Sequence, residues 1–331
     1  MRELKLHLRR AIPLIIFLGL VVHFILPRFA TIEHSASIIP TMVPWAIAAA
    51  IIAQVLSYVS NGAVLQCVVH VAGGKLPLRR AAVIEVGAAT ISLVAAGPVG
   101  FGAAIYKWVS RITTVESAAV AAWLPGVFDT SALILAALIG ALELLHVHQL
   151  SRATEIALIG VISTLIVVII GAFVMLAKPR WLELIARRFH LDVDPDAVRG
   201  AWMKLRSGAW IHVAIRSLLT IAFDMLTLYF AFLAARQPLH FTVLLAGYGV
   251  PVLLGRSSFL PGGIAVIEIG MSAVFAGLGI DTQVAIVAVL TYRLISFWLP
   301  TLIGIPIAVA FTRGTSPARP SPPPRHPTPS R

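Results

Sequence analysis

The sequence predicts an all-α integral membrane protein with about six full spans and two broken or re-entrant helical hairpins arranged as an inverted repeat. The first observation is composition: 59% of residues are hydrophobic and only 12% are charged. This balance, with a mean hydropathy of +0.93, excludes an ordinary soluble domain. The second is the recurrence of apolar stretches of membrane-spanning length. The third is a pair of apolar segments interrupted by Gly and Pro at corresponding places.

Six stretches are long and apolar enough to cross a hydrocarbon layer of about 30 Å. They lie at about 11–27, 43–70, 117–143, 153–177, 209–234 and 283–311. Two further segments, 81–106 and 240–278, are each interrupted by Gly and Pro. The basic residues before the first span resemble a signal-peptide start. Because more spans follow, we expect an uncleaved anchor instead.

The net charge of +12 is explained by where the basic residues lie relative to the predicted membrane spans. Most of the 26 Lys and Arg residues fall in a few connections and at the two ends. Those pieces are residues 1–10, 71–80, 105–113, 178–208 and the tail from 312. If they face the cytoplasm, the chain obeys the positive-inside rule. We therefore expect a multi-pass protein of the cell inner (plasma) membrane, with both termini cytoplasmic and no nucleic-acid partner.

The domain organisation predicted from these patterns is simple. Residues 1–311 form one polytopic transmembrane domain, and residues 178–208 form an amphipathic insert on the cytoplasmic leaflet. Residues 312–331 form a proline-rich, disordered cytoplasmic tail. The single cysteine, Cys67, excludes an internal disulfide and a cysteine-cluster metal site, and we expect neither metal nor cofactor.

The most informative stretch is Leu260-Pro261-Gly262-Gly263, with Arg256 before it and Glu268 after it. Proline and glycine break a helix, and the freed backbone groups are tolerated at membrane depth only where protein or a watery cavity satisfies them. Charged side chains within the membrane are costly and are normally kept for a pathway or a partner. The stretch is therefore the predicted substrate site.

The first interrupted segment has the same layout. Pro98 matches Pro261 at an offset of 163 residues, and Gly100 then matches Gly263. Each half continues into a long span with a charge near its middle. Those charges are Asp129 and Arg293. The distribution of basic residues predicts that the two breaks enter the membrane from opposite faces. Such an arrangement is typical of inverted repeats with a binding site at the bilayer midplane. An accidental match of two common Gly-Pro breaks is the alternative.

The second break and its sequel, Tyr292-Arg293-Leu294 and Trp298-Leu299-Pro300, resemble the signature of the lysylphosphatidylglycerol synthase transmembrane-region family. On that resemblance Pro261, Gly262, Gly263, Glu268 and Arg293 match the family pattern. The first half departs from it. After its break, Gly102-Ala103 stands in place of a Gly-Glu pair and Lys107 in place of an arginine, and the arginine expected shortly before Asp129 is absent. Lys107 is nevertheless a candidate site residue.

The resemblance implies a flippase-like protein that moves a lipid headgroup between leaflets. Bifunctional members carry a soluble aminoacyl-transfer domain that is not seen here, so we expect no enzyme activity. The implied partners are a membrane phospholipid or polyprenyl-linked lipid, a second copy in a homo-oligomer, and a membrane glycosyltransferase or lipid synthase. Two alternatives stay open: a secondary transporter of a soluble metabolite, and a non-catalytic partner of a lipid-linked glycosyltransferase.

The intramembrane charges define the candidate site. Arg256 and Arg293 could attract a phosphate, and Glu268 and Asp129 could pair with them, receive a cationic group or carry a proton. For each, a buried charge pair that only fixes packing is the alternative. Asp224 has Arg216 two turns earlier on its span, so these two could simply satisfy each other. Glu85 is expected to reach water at the membrane interface.

Overall fold

A computed structural model of the protein describes residues 38–94, 97–147, scattered positions between 152 and 167, 208–258 and 260–313. The predicted first span, the amphipathic insert at 178–208 and the tail beyond 313 lie outside these residues. Within the described ranges the regular structure is helical and contains no strand. The all-α prediction is confirmed for this part of the chain.

The helices follow one another through short connections. In chain order they are α1 Pro44–Val71, α2 Leu78–Val94, α3 Pro98–Val109, α4 Val115–Ala121, α5 Leu124–Val147, α6 Trp210–Ala234, α7 Phe241–Ser257, α8 Val266–Gly277, α9 Thr282–Arg293 and α10 Leu299–Arg313. A 3-10 turn, Pro261–Gly263, joins α7 to α8, and a π-helical turn, Leu294–Trp298, joins α9 to α10.

Four stretches have the length and hydropathy to cross a membrane. They are Pro44–Val71, Val115–Glu143, Trp210–Ala234 and Thr282–Thr312. Each coincides with a predicted span. The predicted span at 153–177 is described only up to residue 167, and the described positions there are helical.

The two interrupted segments are helical hairpins. Helices α3 and α8 have 12 residues each, or about 18 Å of helix, which is too short to cross a bilayer. Helix α2 contacts α3, and α7 contacts α8. Because the two arms of each segment pack together, the Gly-Pro breaks are chain reversals. Gly97 makes the first reversal with a φ of 57°, a value that glycine adopts readily.

The helices that precede the two breaks end at matching positions. Helices α2 and α7 both contain 17 residues, and each bound of α7 lies 163 residues after that of α2. Helices α1 and α6 end at Val71 and Ala234, again 163 residues apart. The offset predicted from Pro98 and Pro261 therefore extends over the preceding helices.

Helices α1 and α6 form the central contact between the halves, and they run antiparallel. The Val43 amide at the start of α1 donates a hydrogen bond of 2.9 Å to the Ala234 carbonyl at the end of α6. Ser57 Oγ, near the middle of α1, donates one of 3.0 Å to the Thr220 carbonyl. Contacts that move forward along α1 thus move backward along α6.

Each hairpin also packs against a helix of the other half. Helix α2 contacts α10, and α7 contacts α5. Glycines allow these pairs to approach closely. A methyl group on Gly140 of α5 would lie 2.7 Å from the Ala246 amide nitrogen, and one on Gly304 of α10 would lie 2.7 Å from the Val86 carbonyl oxygen. Small residues at helix contacts are typical of membrane proteins.

Candidate functional site

A polar cavity of about 590 Å³ lies between the two hairpins and the α1–α6 pair. Helices of both halves contribute to its wall. Its polar and charged lining side chains are Gln54, Ser57, Tyr58, Asn61, Glu85, Ser92, Asp129, Thr130, Thr220, Asp224, Arg256, Ser258, Tyr292, Arg293 and Ser296. Gly97, Gly262 and Gly263 bring both breaks to the cavity, as the sequence predicts for a watery site at broken helices.

Arg293 is a charged residue of the cavity lining that contacts several other groups, and it is 5% exposed. Its Nε donates to Glu268 Oε1 at 2.7 Å, and its Nη2 donates to the Gly262 carbonyl at 2.9 Å. The guanidinium carbon lies 4.2 Å from the centre of the Phe297 ring, within the range of a cation–π contact. Phe297 belongs to the π-helical turn that directly follows Arg293. Arg293 therefore ties the second hairpin to α9.

The second break depends on glycine and is anchored by Arg293. Gly262 and Gly263 have φ values of 63° and 67°, in the region that glycine tolerates without strain. A methyl group on Gly262 would collide with the Phe297 ring, and one on Gly263 would lie 2.9 Å from the Gly255 backbone. Because Arg293 donates to the Gly262 carbonyl, one backbone acceptor freed by the break is satisfied within the protein.

Asp224 pairs with tyrosines. Its Oδ2 accepts hydrogen bonds from Tyr248 Oη at 2.6 Å and from Tyr292 Oη at 2.8 Å. Arg216 instead donates to the His212 carbonyl at 3.4 Å. The alternative in which Asp224 and Arg216 satisfy each other therefore does not hold, and Asp224 instead links α6 to α7 and α9.

Glu85 does not reach water at the interface, and that prediction is wrong. The residue is 1% exposed and lines the cavity. Its Oε2 accepts a hydrogen bond of 3.0 Å from Asn61 Nδ2 on α1. Packing of α2 between α1 and α10 removes Glu85 from both lipid and bulk water, which a single hydropathy plot could not indicate.

The Asn61–Glu85 and Asp224–Tyr248 contacts occupy equivalent positions. In each, the two residues are 24 positions apart in sequence, and the second contact lies 163 positions after the first. Both join the central helix of a half to the first arm of its hairpin. The two halves therefore have a hydrogen bond between helices at the same position. In the first half an amide donates to a carboxyl group, and in the second half a phenol donates to a carboxyl group.

Three lining residues, Gln54, Asp129 and Ser296, have buried polar side-chain atoms that lack hydrogen-bond partners among the described residues. Asp129 is 8% exposed and Gln54 is 6% exposed. Neither Asp129 Oδ1 nor Gln54 Oε1 has a hydrogen-bond partner in this part of the chain. Arg256, exposed at the end of α7, lies within electrostatic range of Asp129. Buried acceptors without donors are costly, so these atoms suit water or a ligand that donates hydrogen bonds.

The predicted site residues thus fall into two groups. The cavity brings together Arg256, Gly262, Gly263, Asp129, Asp224 and Arg293. Glu268 belongs with them through its bond to Arg293, and Pro261 begins the adjoining turn. Lys107 is exposed near the end of α3 and does not line the cavity.

Sequence reasoning missed the polar face of α1. Gln54, Ser57, Tyr58 and Asn61 all line the cavity, and their spacing places them on one side of a helix. That periodic polar face within an apolar span was a signal that could have found them. Among the described residues, no cluster of three or more His, Cys, Asp or Glu side chains could hold a metal ion.

These features define a polytopic helical membrane protein with a polar interior cavity at two broken helices. The chain belongs to the family of the lysylphosphatidylglycerol synthase transmembrane region, whose family model matches residues 11–304. It is similar to UPF0104 membrane proteins of two archaea. The Pyrococcus horikoshii protein is 36% identical over 81 residues, which is 24% of each chain. The Methanothermobacter thermautotrophicus protein is 26% identical over 185 residues, which is 50% of this chain and 55% of the relative.

Proposed function

We propose that the protein translocates the headgroup of a phospholipid or polyprenyl-linked lipid between the leaflets of the cell inner membrane. The observation that carries the proposal is a cavity of about 590 Å³ that is lined by charged side chains of both halves within an apolar helical protein. A headgroup must be shielded from about 30 Å of hydrocarbon while its acyl chains remain in lipid. A polar cavity beside lipid-facing helices meets both needs.

The hairpins support a lipid substrate because their exposed surfaces are apolar. Val99 on α3, Leu254 on α7 and Ile269 on α8 are 62%, 57% and 39% exposed. The same helices contribute Phe101, Arg256 and other residues to the cavity wall. Headgroup and acyl chains could therefore occupy adjacent surfaces of one hairpin. A site for a soluble metabolite would need to be closed to lipid, and no observation favours it.

Arg256 is the proposed contact for the lipid phosphate. Arg293 is buried and already bonded to Glu268 and Gly262. Arg256 is exposed, lines the cavity and makes no ion pair within 4.0 Å among the described residues. Its guanidinium is thus available for a bidentate contact with phosphate. Arg293 and Glu268 hold the hairpin in place, with Glu268 balancing the arginine charge.

An inverted repeat is part of the proposal. Its support is the antiparallel contact of α1 with α6, two helices that correspond at the 163-residue offset. Equivalent helices related by an axis along the membrane normal would run parallel. An axis in the membrane plane makes them antiparallel and allows each hairpin to open toward a different leaflet.

A proteoliposome assay tests the translocation. Vesicles would contain phosphatidylglycerol with a fluorescent acyl chain, and dithionite added outside would bleach label that reaches the outer leaflet. In protein-containing vesicles the bleached fraction of the label should exceed the fraction that starts in the outer leaflet. Arg256→Gln should remove most of this loss, whereas Lys75→Gln, in the connection between α1 and α2, should retain it. Equal protection in protein-free and protein-containing vesicles would contradict the proposal.

A further inference from the structure

The cavity contains more carboxyl groups than available cations. Glu85, Asp129 and Asp224 line it together with Arg256 and Arg293. The Arg293 charge is neutralised by Glu268 at 2.7 Å. Three carboxyl groups therefore face one remaining arginine among the described lining residues. Unbalanced charges buried away from water are unfavourable, and such groups either find a partner or lose their charge.

Two of the three carboxyl groups have a pair of hydrogen-bond donors or a cation nearby. Asp224 accepts two phenol hydrogen bonds, at 2.6 and 2.8 Å. Asp129 lies within electrostatic range of the Arg256 guanidinium.

Glu85 has neither kind of support. Its one described donor is the neutral amide of Asn61, at 3.0 Å. From α1, Tyr58 also lies within its electrostatic range, and across the cavity the charged group that acts on Glu85 is Asp129. Asp129 carries the same sign of charge, so it adds to the cost of ionising Glu85.

The other elements packed against α2 supply no cation. Helix α10 carries no acidic or basic side chain between residues 299 and 312, and the Pro261–Gly263 turn carries none. Helix α3 carries Tyr106 and Lys107, and neither lines the cavity. Lys107 is exposed. The surroundings of Glu85 are therefore neutral or negative on the sides that the structure describes.

We propose that Glu85 is a proton-binding site and that translocation is coupled to its protonation. In the empty cavity the proton neutralises Glu85. When a headgroup enters, its phosphate adds a negative charge beside Arg256 that holds the proton on Glu85, so the neutral carboxyl group can donate to the phosphate while hydrogen-bond donors of the headgroup enter the cavity. The unpartnered Gln54 Oε1 and Asp129 Oδ1 offer acceptors to the same donors. The coupling rests on the proposed translocation; the protonation of Glu85 does not.

Infrared spectroscopy of the purified protein in lipid nanodiscs tests the proton site without a transport substrate. At neutral pH the wild type should show the carbonyl stretch of a protonated carboxyl group, and the band should shift in heavy water. Glu85→Gln, which preserves shape and the Asn61 contact, should lose it. Glu116→Gln, in the first turn of α4, is the matched control and should keep it. A band that survives Glu85→Gln, or is absent from the wild type, would overturn the proposal.

The coupling is tested separately in the vesicle assay with fluorescent phosphatidylglycerol. Between pH 6 and pH 8 (about two units around neutrality) the wild-type rate should change, because the occupancy of a titrating site changes with pH. Glu85→Gln should lose this dependence while it still folds and elutes as one species. A wild-type rate independent of pH overturns the coupling and leaves translocation intact. Absent translocation with an intact Glu85 band would instead contradict the lipid substrate.

Discussion

Ser57 Oγ donates a hydrogen bond of 3.0 Å to the carbonyl of Thr220, and these residues occupy the same position in the two halves, 163 residues apart. A residue that contacts its own equivalent lies beside the axis relating two copies. The cavity is lined by both residues and receives side chains from each half, so under the proposed inverted repeat it would lie at the axis that relates the halves. The charges of the two halves differ: both arginines, Arg256 and Arg293, come from the second half, whereas the carboxyl groups come from both, Glu85 and Asp129 from the first and Asp224 from the second.

The antiparallel α1–α6 contact predicts a specific pattern of crosslinks. In a background with Cys67 replaced, cysteines at Val43 and Ala234 should be joined by a short bifunctional reagent, because their backbones are hydrogen-bonded at 2.9 Å. Val43 paired with Val213 should not react, since Val213 lies near the other end of α6, about 30 Å away along the helix. Mass spectrometry of the digested protein measures both. Efficient crosslinking of the second pair alone would indicate parallel helices and end the inverted-repeat proposal.

The Asp224 cluster predicts non-additive losses of stability. Tyr248→Phe or Tyr292→Phe removes one of two donors to Asp224, and each should lower the free energy of unfolding by about 1.5–3 kcal/mol. The double variant leaves the carboxylate without either phenol, so its loss should exceed the sum. Unfolding in mixed detergent micelles provides the measurement.

Tyr229→Phe is the matched control for that cycle. Tyr229 lies on the same helix as Asp224, and its ring packs edge-on against Phe230. We expect a change within about 0.5 kcal/mol. Strictly additive losses for Tyr248 and Tyr292 would show that the two phenols do not share one carboxylate.

The glycines of the second break predict a contrast between two single substitutions. Gly262→Ala places a methyl group against the Phe297 ring at a φ of 63°, so it should cost about 1–3 kcal/mol of stability or more. Gly277→Ala, at the end of α8, meets nothing within 4 Å and should be neutral or stabilising by about 0.4–1 kcal/mol. Thermal unfolding in detergent compares them. Similar melting temperatures for the two variants would contradict the described geometry of the break.

Much of the fold could be predicted from the sequence because membrane helices carry a strong, local signal. Apolar length predicted the four spans that the described residues contain, and the Gly-Pro motifs predicted both reversals. The offset found at Pro98 and Pro261 also held for the ends of the helices that precede the breaks, which were not used to find it. Equivalent residues such as Asn61 and Asp224 could have been identified by extending that offset backward.

The site was less predictable, because the pairing of its side chains depends on how the helices are placed around the cavity. The spacing of Asp224 and Arg216 on one helix leaves open that they satisfy each other, whereas the partners of Asp224 come from α7 and α9. Glu85 was assigned to the interface from its position in the chain, but contact of α2 with α1 and α10 buries it. Neither outcome is encoded in local sequence, since each requires contacts across more than one helix.

Arg293 and Glu268 predict a distinction between residues that position the hairpin and residues that bind the headgroup. Arg293→Lys keeps the charge but loses the fork that reaches both Glu268 and the Gly262 carbonyl. Glu268→Gln leaves a buried arginine without its carboxylate and should cost about 3–5 kcal/mol. If these residues position the hairpin, both variants should raise the labelling rate of a cysteine placed at Leu260 and should slow phospholipid translocation together. Arg256→Gln should slow translocation without changing the labelling rate, because Arg256 is proposed to contact phosphate instead of the break. A labelling rate that rises in Arg256→Gln and stays constant in Arg293→Lys would reverse the two assignments.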